Sequence, residues 1–257
     1  MCVGIYIPKD VVPTIDPEIF RSSHISNPDG FGILWNDTHL AYTKGCLDFQ
    51  TFLWRFQLPK LSNSPIVLHF RTASASAIGK KHCHPFFVNK DLGFVHNGNF
   101  FDFTSQHPNY YDKKDGMSDT ERFNNEVLKR LPKNFLYRSD IRNALETYCK
   151  RNMSKMIFMD SNSLVTLINQ EAGEWRNGIY YSNGGIEGYI GYGYSGAYYY
   201  KEGDIRHPGG LPCVQMFDAK ERRTWKKCSQ CEGYFKNLFE GICDGCRTLN
   251  NLIKYCK

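Results

Sequence analysis

The order of the apolar segments is the feature that most constrains how this chain can fold. Short strand-like runs stand near both ends of the first 183 residues, and two helix-like segments lie between them. Strands grouped before and after helices, rather than alternating with them, predict an α+β fold. The strand candidates are residues 2–7, 27–35 with an opening turn, 66–70, 92–96, 155–160, 163–168 and 179–183.

The two helices are predicted from their start signals and apolar spacing. Ser118 is followed three residues later by Glu121, which is the capping-box pattern, so one helix should begin there and end at Pro132. A second helix is expected over residues 140–152, because its apolar side chains recur at helical spacing on one face.

The composition is typical of a globular protein and gives no sign of a membrane-spanning segment. The chain is 41% hydrophobic and 23% charged, as an ordinary globular protein is. Polar residues and prolines interrupt residues 1–20, and no run reaches the roughly eighteen apolar residues that a membrane helix needs. We therefore expect a soluble, cytoplasmic protein that does not contact a membrane. In that compartment the ten cysteines favour catalytic or metal-binding thiols over disulfides.

The cysteine at position 2 is the first candidate catalytic residue. Removal of Met1 would give Cys2 a free α-amino group. The ordinary pKa of such an amine, about 7.7–8.0, lets it act as the base for the residue's own thiol. By position alone, Cys2 is an ordinary second residue, so its importance depends on the motifs that follow it.

Five short motifs follow Cys2 in a defined order: NPDGFG (27–32), HFRTAS (69–74), HCHPF (82–86), FVHNGN (94–99) and SDTE (118–121). Each motif alone is weak. Together, in this order and spacing, they resemble the class-II glutamine amidotransferases. The glutaminase domains of that family, such as those of glucosamine-phosphate synthase, PRPP amidotransferase and asparagine synthetase, are N-terminal-nucleophile (Ntn) hydrolases. The resemblance covers about residues 2–183.

The resemblance implies a four-layer αββα Ntn-hydrolase sandwich and a role for each matching residue. Cys2 matches the nucleophile, which would attack the side-chain amide of glutamine, form a γ-glutamyl thioester and release ammonia. The other matches are Asn97 and Gly98 for the oxyanion hole, Arg71 for the substrate α-carboxylate, Asp119 for its α-ammonium group, and Ser74 and His84 for the lining of the glutamine pocket.

Several of these residues also have plainer interpretations. Arg71 can be a surface ion-pair residue, and Asn97-Gly98 can be a simple hairpin turn. Asp119 can be an acid in the first turn of a helix, where it suits the helix dipole. His84 precedes a proline and can belong to loop packing. The remaining histidines of these motifs, His69, His82 and His96, are expected to be structural.

The C-terminal part carries two C-x-x-C pairs. Cys228 and Cys231 are separated from Cys243 and Cys246 by eleven residues. Two such knuckles predict a tetrahedral four-cysteine site for structural Zn²⁺ in a small zinc-ribbon-like unit. Two disulfides, or a redox C-x-x-C, are the alternatives. We therefore expect an amidotransferase domain over residues 2–211 and a basic zinc module over residues 212–257.

The predicted function is the release of ammonia from glutamine by Cys2. The acceptor is expected on a separate synthase or acceptor-site protein, because the chain has no P-loop, no dinucleotide fingerprint and no length left for a synthase. The alternatives are an N-terminal-cysteine amidase for another amide, and a catalytically silent binding module. The basic C-terminal segment could meet nucleic acid, although a solvated basic face is favoured.

Overall fold

The computed structural model describes residues 2–73, 78–104 and 116–183, and in the C-terminal part residues 226–227, 229–230, 234–235, 238, 240–242 and 244–256. Within these ranges the protein is a mixed α and β structure with two larger antiparallel sheets and a two-stranded ribbon. The predicted α+β class is confirmed. The segment 184–211, which the sequence analysis assigned to the first domain, lies outside the described residues.

The larger sheet has six strands. They are β1 (Val3–Ile7), β2 (Phe31–Asn36), β3 (Leu40–Gly45), β4 (Ile66–Phe70), β9 (Glu174–Arg176) and β10 (Ile179–Tyr181). Their order is β3-β2-β4-β1-β10-β9, and all neighbours are antiparallel. The inner strands β2 and β4 are buried along their whole length, which explains why they appear in the sequence as nearly continuous apolar runs.

The smaller sheet has four strands, which are β5 (Phe86–Asn89), β6 (Leu92–Asn97), β7 (Lys155–Asp160) and β8 (Val165–Ile168). They pair in sequence order. The strands predicted at residues 155–160 and 163–168 are confirmed and pair as a hairpin, with β8 beginning two residues later than expected. Asp160 closes its turn, because Asp160 Oδ1 accepts hydrogen bonds from the backbone N–H groups of Asn162 and Leu164.

Among the described residues, five α-helices accompany the sheets: α1 (Arg21–Ser26), α2 (Phe49–Leu61), α3 (Asp119–Glu126), α4 (Ser139–Arg151) and α5 (Asp244–Ile253). The predicted cap of α3 is confirmed, since Ser118 Oγ accepts from the Glu121 N–H at 3.1 Å. The helix is shorter than predicted, and the chain continues as a 3₁₀ turn over Leu128–Arg130. Pro132 disfavours helical backbone at Leu131, so the last turn tightens before it.

Helix α2 is not predicted by the apolar pattern. Phe49, Phe52 and Phe56 are buried on one side of it, but Trp54 and Leu58 are exposed on the other. Apolar residues therefore surround the helix, and the period of 3.6 residues that marks an amphipathic helix is lost.

Three apolar clusters hold these elements together. One joins the six-stranded sheet to α2, a second lies between the two sheets, and a third joins the four-stranded sheet to α3, α4 and α5. The alternation of strand side chains divides the sheet residues between clusters: Ile33 belongs to the first, whereas its neighbour Leu34 belongs to the second.

The C-terminal helix takes part in the third cluster. Leu249 and Leu252 of α5 are buried in the same cluster as Leu145 of α4. Near it, β11 (Lys226–Lys227) pairs with β12 (Tyr234–Phe235). The domain boundary at residue 212 stays a prediction, but α5 shares its apolar contacts with the rest of the protein. No helix in the described ranges has the length and apolarity to span a bilayer.

Candidate functional site

Cys2 lies where β1 meets β4. Val3 pairs with Phe70, so Cys2 and Arg71 extend the two strands side by side. The Thr72 N–H donates to Cys2 Sγ at 3.3 Å, and the thiol donates to Thr72 O at 3.2 Å. Burial raises the pKa of the Cys2 thiol, while the Thr72 N–H, the N-terminal charge and Arg71 act to lower it. A nearby base is therefore needed to form the thiolate near neutral pH.

Arg71 is anchored to the turn of the first motif. The Arg71 N–H donates to Gly30 O at 2.8 Å, and the Asp29 N–H donates to Arg71 O at 3.0 Å. Asp29 Oδ2 in turn accepts from the Ala73 N–H at 2.7 Å. Only 4% of Arg71 is exposed, so the interpretation as a surface ion-pair residue is wrong. Residues 29–30 and 71–73 are therefore joined by hydrogen bonds into one unit beside Cys2.

Asn97 is the last residue of β6, and Gly98 begins a bend that only glycine fits. Gly98 has a φ of +136°, and a Cβ added there would lie 2.7 Å from Ser154 Cα. The chain then enters a 3₁₀ turn over Phe101–Phe103 instead of returning as a paired strand. The hairpin interpretation of Asn97-Gly98 is therefore wrong.

Two residues that the sequence analysis missed connect Asn97 to Cys2. Asn183 Nδ2 donates to Cys2 O at 2.7 Å, which fixes the backbone of the candidate nucleophile. Ser182 Oγ accepts from the Gly4 N–H at 2.8 Å and lies 2.7 Å from the Asn97 amide nitrogen. The only sequence signal for these two residues is that a polar Ser-Asn pair directly follows the apolar strand β10.

The side-chain amide of Asn97 is better paired when its oxygen and nitrogen atoms exchange places. Asn97 Oδ1 is buried and has no hydrogen-bond partner in the described part of the chain. Ser182 Oγ already accepts from Gly4, so its own proton needs an acceptor. Exchanging O and N of the Asn97 amide lets Ser182 donate to Oδ1 and turns the Nδ2 donor to the opposite side. In that orientation a donor is available for a ligand.

Asp119 contacts the segment that follows Gly98. It is half-buried as the first residue of α3, and its Oδ2 accepts from the Phe100 N–H at 2.7 Å. Burial raises the pKa of Asp119, against the opposing effect of hydrogen bonds from the Phe100 and Thr120 N–H groups. Because Asp119 also begins a helix, its interpretation as a first-turn acid stays open.

Three buried histidines lie behind these residues. His69 Nδ1 and His84 Nδ1 are 3.2 Å apart, and His69 Nε2 lies 3.1 Å from His96 O. His96 contacts Thr120 Oγ1 at 2.8 Å and Ser154 Oγ at 3.1 Å. Burial lowers the pKa of His69 and of His96 to about 3 and the pKa of His84 well below its ordinary value. All three rings are therefore neutral at physiological pH.

The other predicted site residues are only partly described. Ser74, Cys228, Cys231 and Cys243 lie outside the described residues, whereas Cys246 is buried on α5. Within the described ranges, no group of three or more His, Cys, Asp or Glu side chains could hold a metal ion. Three of the four proposed ligands fall outside those ranges, so the zinc site stays a prediction.

No family model matches the chain, and no curated protein matches it. Among solved structures, 70% of the chain aligns with glutamine PRPP amidotransferase from B. subtilis complexed with ADP and GMP, at 19% identity and a TM-score of 0.40. A structure described as the allosteric regulatory enzyme of purine biosynthesis aligns over 70% of the chain at 20% identity and a TM-score of 0.42.

A third similar structure is a glutamine aminotransferase class-II domain protein from Silicibacter pomeroyi. It aligns over 62% of this chain and 73% of its own, at 17% identity and a TM-score of 0.32. The chain spans only 40% of the length of each of the first two structures.

Proposed function

We propose that this protein is a glutaminase of the class-II amidotransferase type, which uses Cys2 to release ammonia from glutamine. The observation that carries the proposal is the set of short hydrogen bonds that joins Cys2 to Asn97 through Asn183, Gly4 and Ser182. The five sequence motifs support the same assignment. Two sheets with helices packed on both outer faces fit the four-layer sandwich that the family resemblance implies.

The chemistry begins after loss of Met1, when the α-amino group of Cys2 takes the proton of the thiol. The sulfur attacks the amide carbon of the glutamine side chain, and the carbonyl π electrons move to oxygen. Asn97 Nδ2 and the Gly98 N–H stabilise this oxyanion, and loss of one such donor typically costs about 2.7–4 kcal/mol. The C–N bond then breaks as the amine returns its proton, so ammonia leaves and a thioester remains. Water hydrolyses the thioester to glutamate.

Glutamine would be held by its two charged ends. In the proposal, the planar guanidinium of Arg71 pairs with the α-carboxylate and Asp119 pairs with the α-ammonium group. The resemblance assigns His84 to the pocket lining, and its buried Nε2 has no protein partner among the described residues. Ser74 is assigned to the pocket lining by the resemblance alone.

The remaining proposals concern the C-terminal part, the cellular location and the ammonia acceptor. We propose one structural Zn²⁺ held by Cys228, Cys231, Cys243 and Cys246, a cytoplasmic location, and an ammonia acceptor on a separate protein. We propose that the basic side chains of this part face solvent and do not bind nucleic acid. Elemental analysis of protein purified under reducing conditions tests the metal, with about one zinc per chain expected. Protein without metal refutes the site.

A glutaminase assay over a panel of amides tests the reaction. Ammonia release from free glutamine, with slower release from asparagine and from simple primary amides, supports the proposal. Faster turnover of another amide identifies the protein as a different N-terminal-cysteine amidase. Absence of turnover on the whole panel, by protein shown to begin at Cys2, indicates a silent binding module.

A further inference from the structure

Cys46 and Cys83 lie against each other although 37 positions separate them in the sequence. Their Sγ atoms are 3.9 Å apart. Cys46 is exposed directly after β3, whereas Cys83 is buried in the segment that leads into β5. Neither belongs to a C-x-x-C pair, so spacing along the sequence does not reveal them. The proposed glutaminase chemistry uses neither thiol.

The surroundings of Cys83 hold its sulfur in place. A Cβ added to Gly30 would lie 2.5 Å from Cys83 Sγ, so the sulfur packs directly on that glycine. The thiol also donates to Gly79 O at 3.6 Å. Burial raises the pKa of Cys83 to about 12, so this residue stays a thiol in the native protein. Cys46 is the partner that a solute can reach.

We infer that Cys46 and Cys83 form a peroxide-reactive dithiol, a modification site that closes to a reversible disulfide. The Cys46 thiolate attacks one oxygen of a hydroperoxide. An S–O bond forms, the O–O bond breaks, and the leaving hydroxide (or alkoxide) takes up a proton. Sulfur is oxidised to sulfenic acid and the peroxide is reduced.

Cys83 then resolves the sulfenic acid. Its sulfur attacks Cys46 Sγ, the S–S bond forms, and the S–O bond breaks. The hydroxide leaves with the Cys83 proton as water. For hydrogen peroxide the sum is two thiols and one peroxide giving one disulfide and two waters. A dithiol reductant reverses the oxidation by thiol–disulfide exchange.

The geometry allows this disulfide to form with little movement. The sulfurs must approach from 3.9 Å to about 2.05 Å, and rotation of the exposed Cys46 side chain can supply that movement. The bond would tie the end of β3 to the segment that carries His84. Closing a loop of this length constrains the unfolded chain, so the oxidised protein should be more stable to heat.

Peptide mapping of the full chain tests the inference. Native protein is treated with a small excess of hydrogen peroxide, remaining thiols are blocked with N-ethylmaleimide, and the protein is digested without reduction. We expect a linked peptide joining Cys46 to Cys83, and a melting temperature raised by about 4 °C or more. Dithiothreitol should reverse both changes.

Matched variants make the result specific. Cys46→Ser changes an exposed side chain and should remove both the linked peptide and the thermal shift, while Cys256→Ser, which alters a half-buried cysteine elsewhere, should keep them. Recovery of Cys46 as sulfinic or sulfonic acid beside unmodified Cys83 would overturn the inference. A link from Cys46 to a C-terminal cysteine, or a thermal shift that persists in Cys46→Ser, would overturn it as well. None of these outcomes depends on glutaminase activity.

Discussion

The Asn97 side chain lies 2.7 Å from Ser182 Oγ, although 85 positions separate the two residues in the sequence. Ser182 also accepts a hydrogen bond from the backbone of β1, two residues after Cys2. One hydroxyl group therefore fixes the candidate oxyanion donor relative to the strand that carries the candidate nucleophile. Strand pairing with Lys155 of β7 holds the backbone of Asn97, and this contact with the segment after β10 orients its side chain.

Replacing Ser182 by alanine should slow catalysis more than it weakens substrate binding. Without the hydroxyl, Asn97 Nδ2 is no longer directed at the oxyanion, so we expect kcat for glutamine to fall at least about tenfold with little change in KM. Steady-state kinetics and a thermal melt check this. Ser22→Ala, an exposed serine on α1, is the control. A Ser182→Ala enzyme that melts normally and keeps its kcat would remove Ser182 from the site.

Asp119→Asn separates the substrate-binding role of Asp119 from a helix-dipole role. The amide oxygen can still accept from the Phe100 N–H, but the negative charge for the substrate ammonium group is lost. We expect KM for glutamine to rise about tenfold or more. Asp140→Asn is the matched control, because Asp140 also lies in the first turn of a helix. Equal small losses of stability in both variants, with KM unchanged, would favour the dipole interpretation.

Much of the fold was predictable because its central strands are buried on both faces. β2 and β4 appear in the sequence as short apolar runs beside turn residues, and such runs mark strands without any tertiary information. Helix α2 was not predictable, since its outer face is also apolar and carries Trp54 and Leu58. Nothing in the local pattern distinguishes that exposed face from the buried one.

The candidate site was predictable only where its residues lie within motifs. Arg71 stands directly after a buried strand, Asn97 ends another, and Asp119 follows a helix cap, so their positions could be inferred from local signals. The role of Ser182 could not be inferred in this way, because its contact with Asn97 depends on the pairing of β10 with β1 through Ile5 and Tyr181. Pairing between such distant segments is not encoded in the spacing of residues.

The C-terminal helix should contribute to the stability of the whole protein. Leu252 is fully buried in the cluster that α5 shares with α4, whereas the adjacent Ile253 is 42% exposed. Leu252→Ala should therefore lower the free energy of unfolding by about 2–4 kcal/mol, and Ile253→Ala by much less. Urea denaturation followed by tryptophan fluorescence measures both. Equal effects would show that α5 does not pack on the protein in solution as described.

The buried histidines predict a loss of stability in mild acid. The pKa of His69 and of His96 is about 3 in the folded protein, against an ordinary value of about 6.5, and the pKa of His84 is also lowered. Between these values the unfolded chain binds protons that the folded protein does not. The free energy of unfolding is thus fully retained above about pH 6.5. It should fall by up to about 1.4 kcal/mol per pH unit for each histidine as the pH drops toward 3.

The raised pKa of Asp119 acts in the opposite direction, because the folded protein keeps a proton on this carboxyl at pH values where the unfolded chain has lost it. Urea denaturation at pH 7.5, 6 and 5 measures the dependence on pH. His96→Gln removes one of the groups that take up a proton on unfolding, so the free energy of unfolding should depend less steeply on pH, by about 1.4 kcal/mol per pH unit. Exposed His39→Gln should leave this dependence unchanged. A free energy of unfolding that is constant from pH 7.5 to pH 5 would contradict the neutral, buried state of these rings.

The central claim is that Cys2, as the first residue of the mature chain, forms a covalent bond with the glutamine-derived group. Its most direct test is intact-mass and peptide analysis of protein treated with a glutamine-mimicking diazo-ketone. We predict one adduct per chain, on a peptide that begins at Cys2 without Met1. Excess glutamine should protect against labelling, and Cys2→Ala should abolish it together with glutaminase activity. Labelling that maps to Cys46 or Cys83, or full activity in protein that retains Met1, would contradict the account.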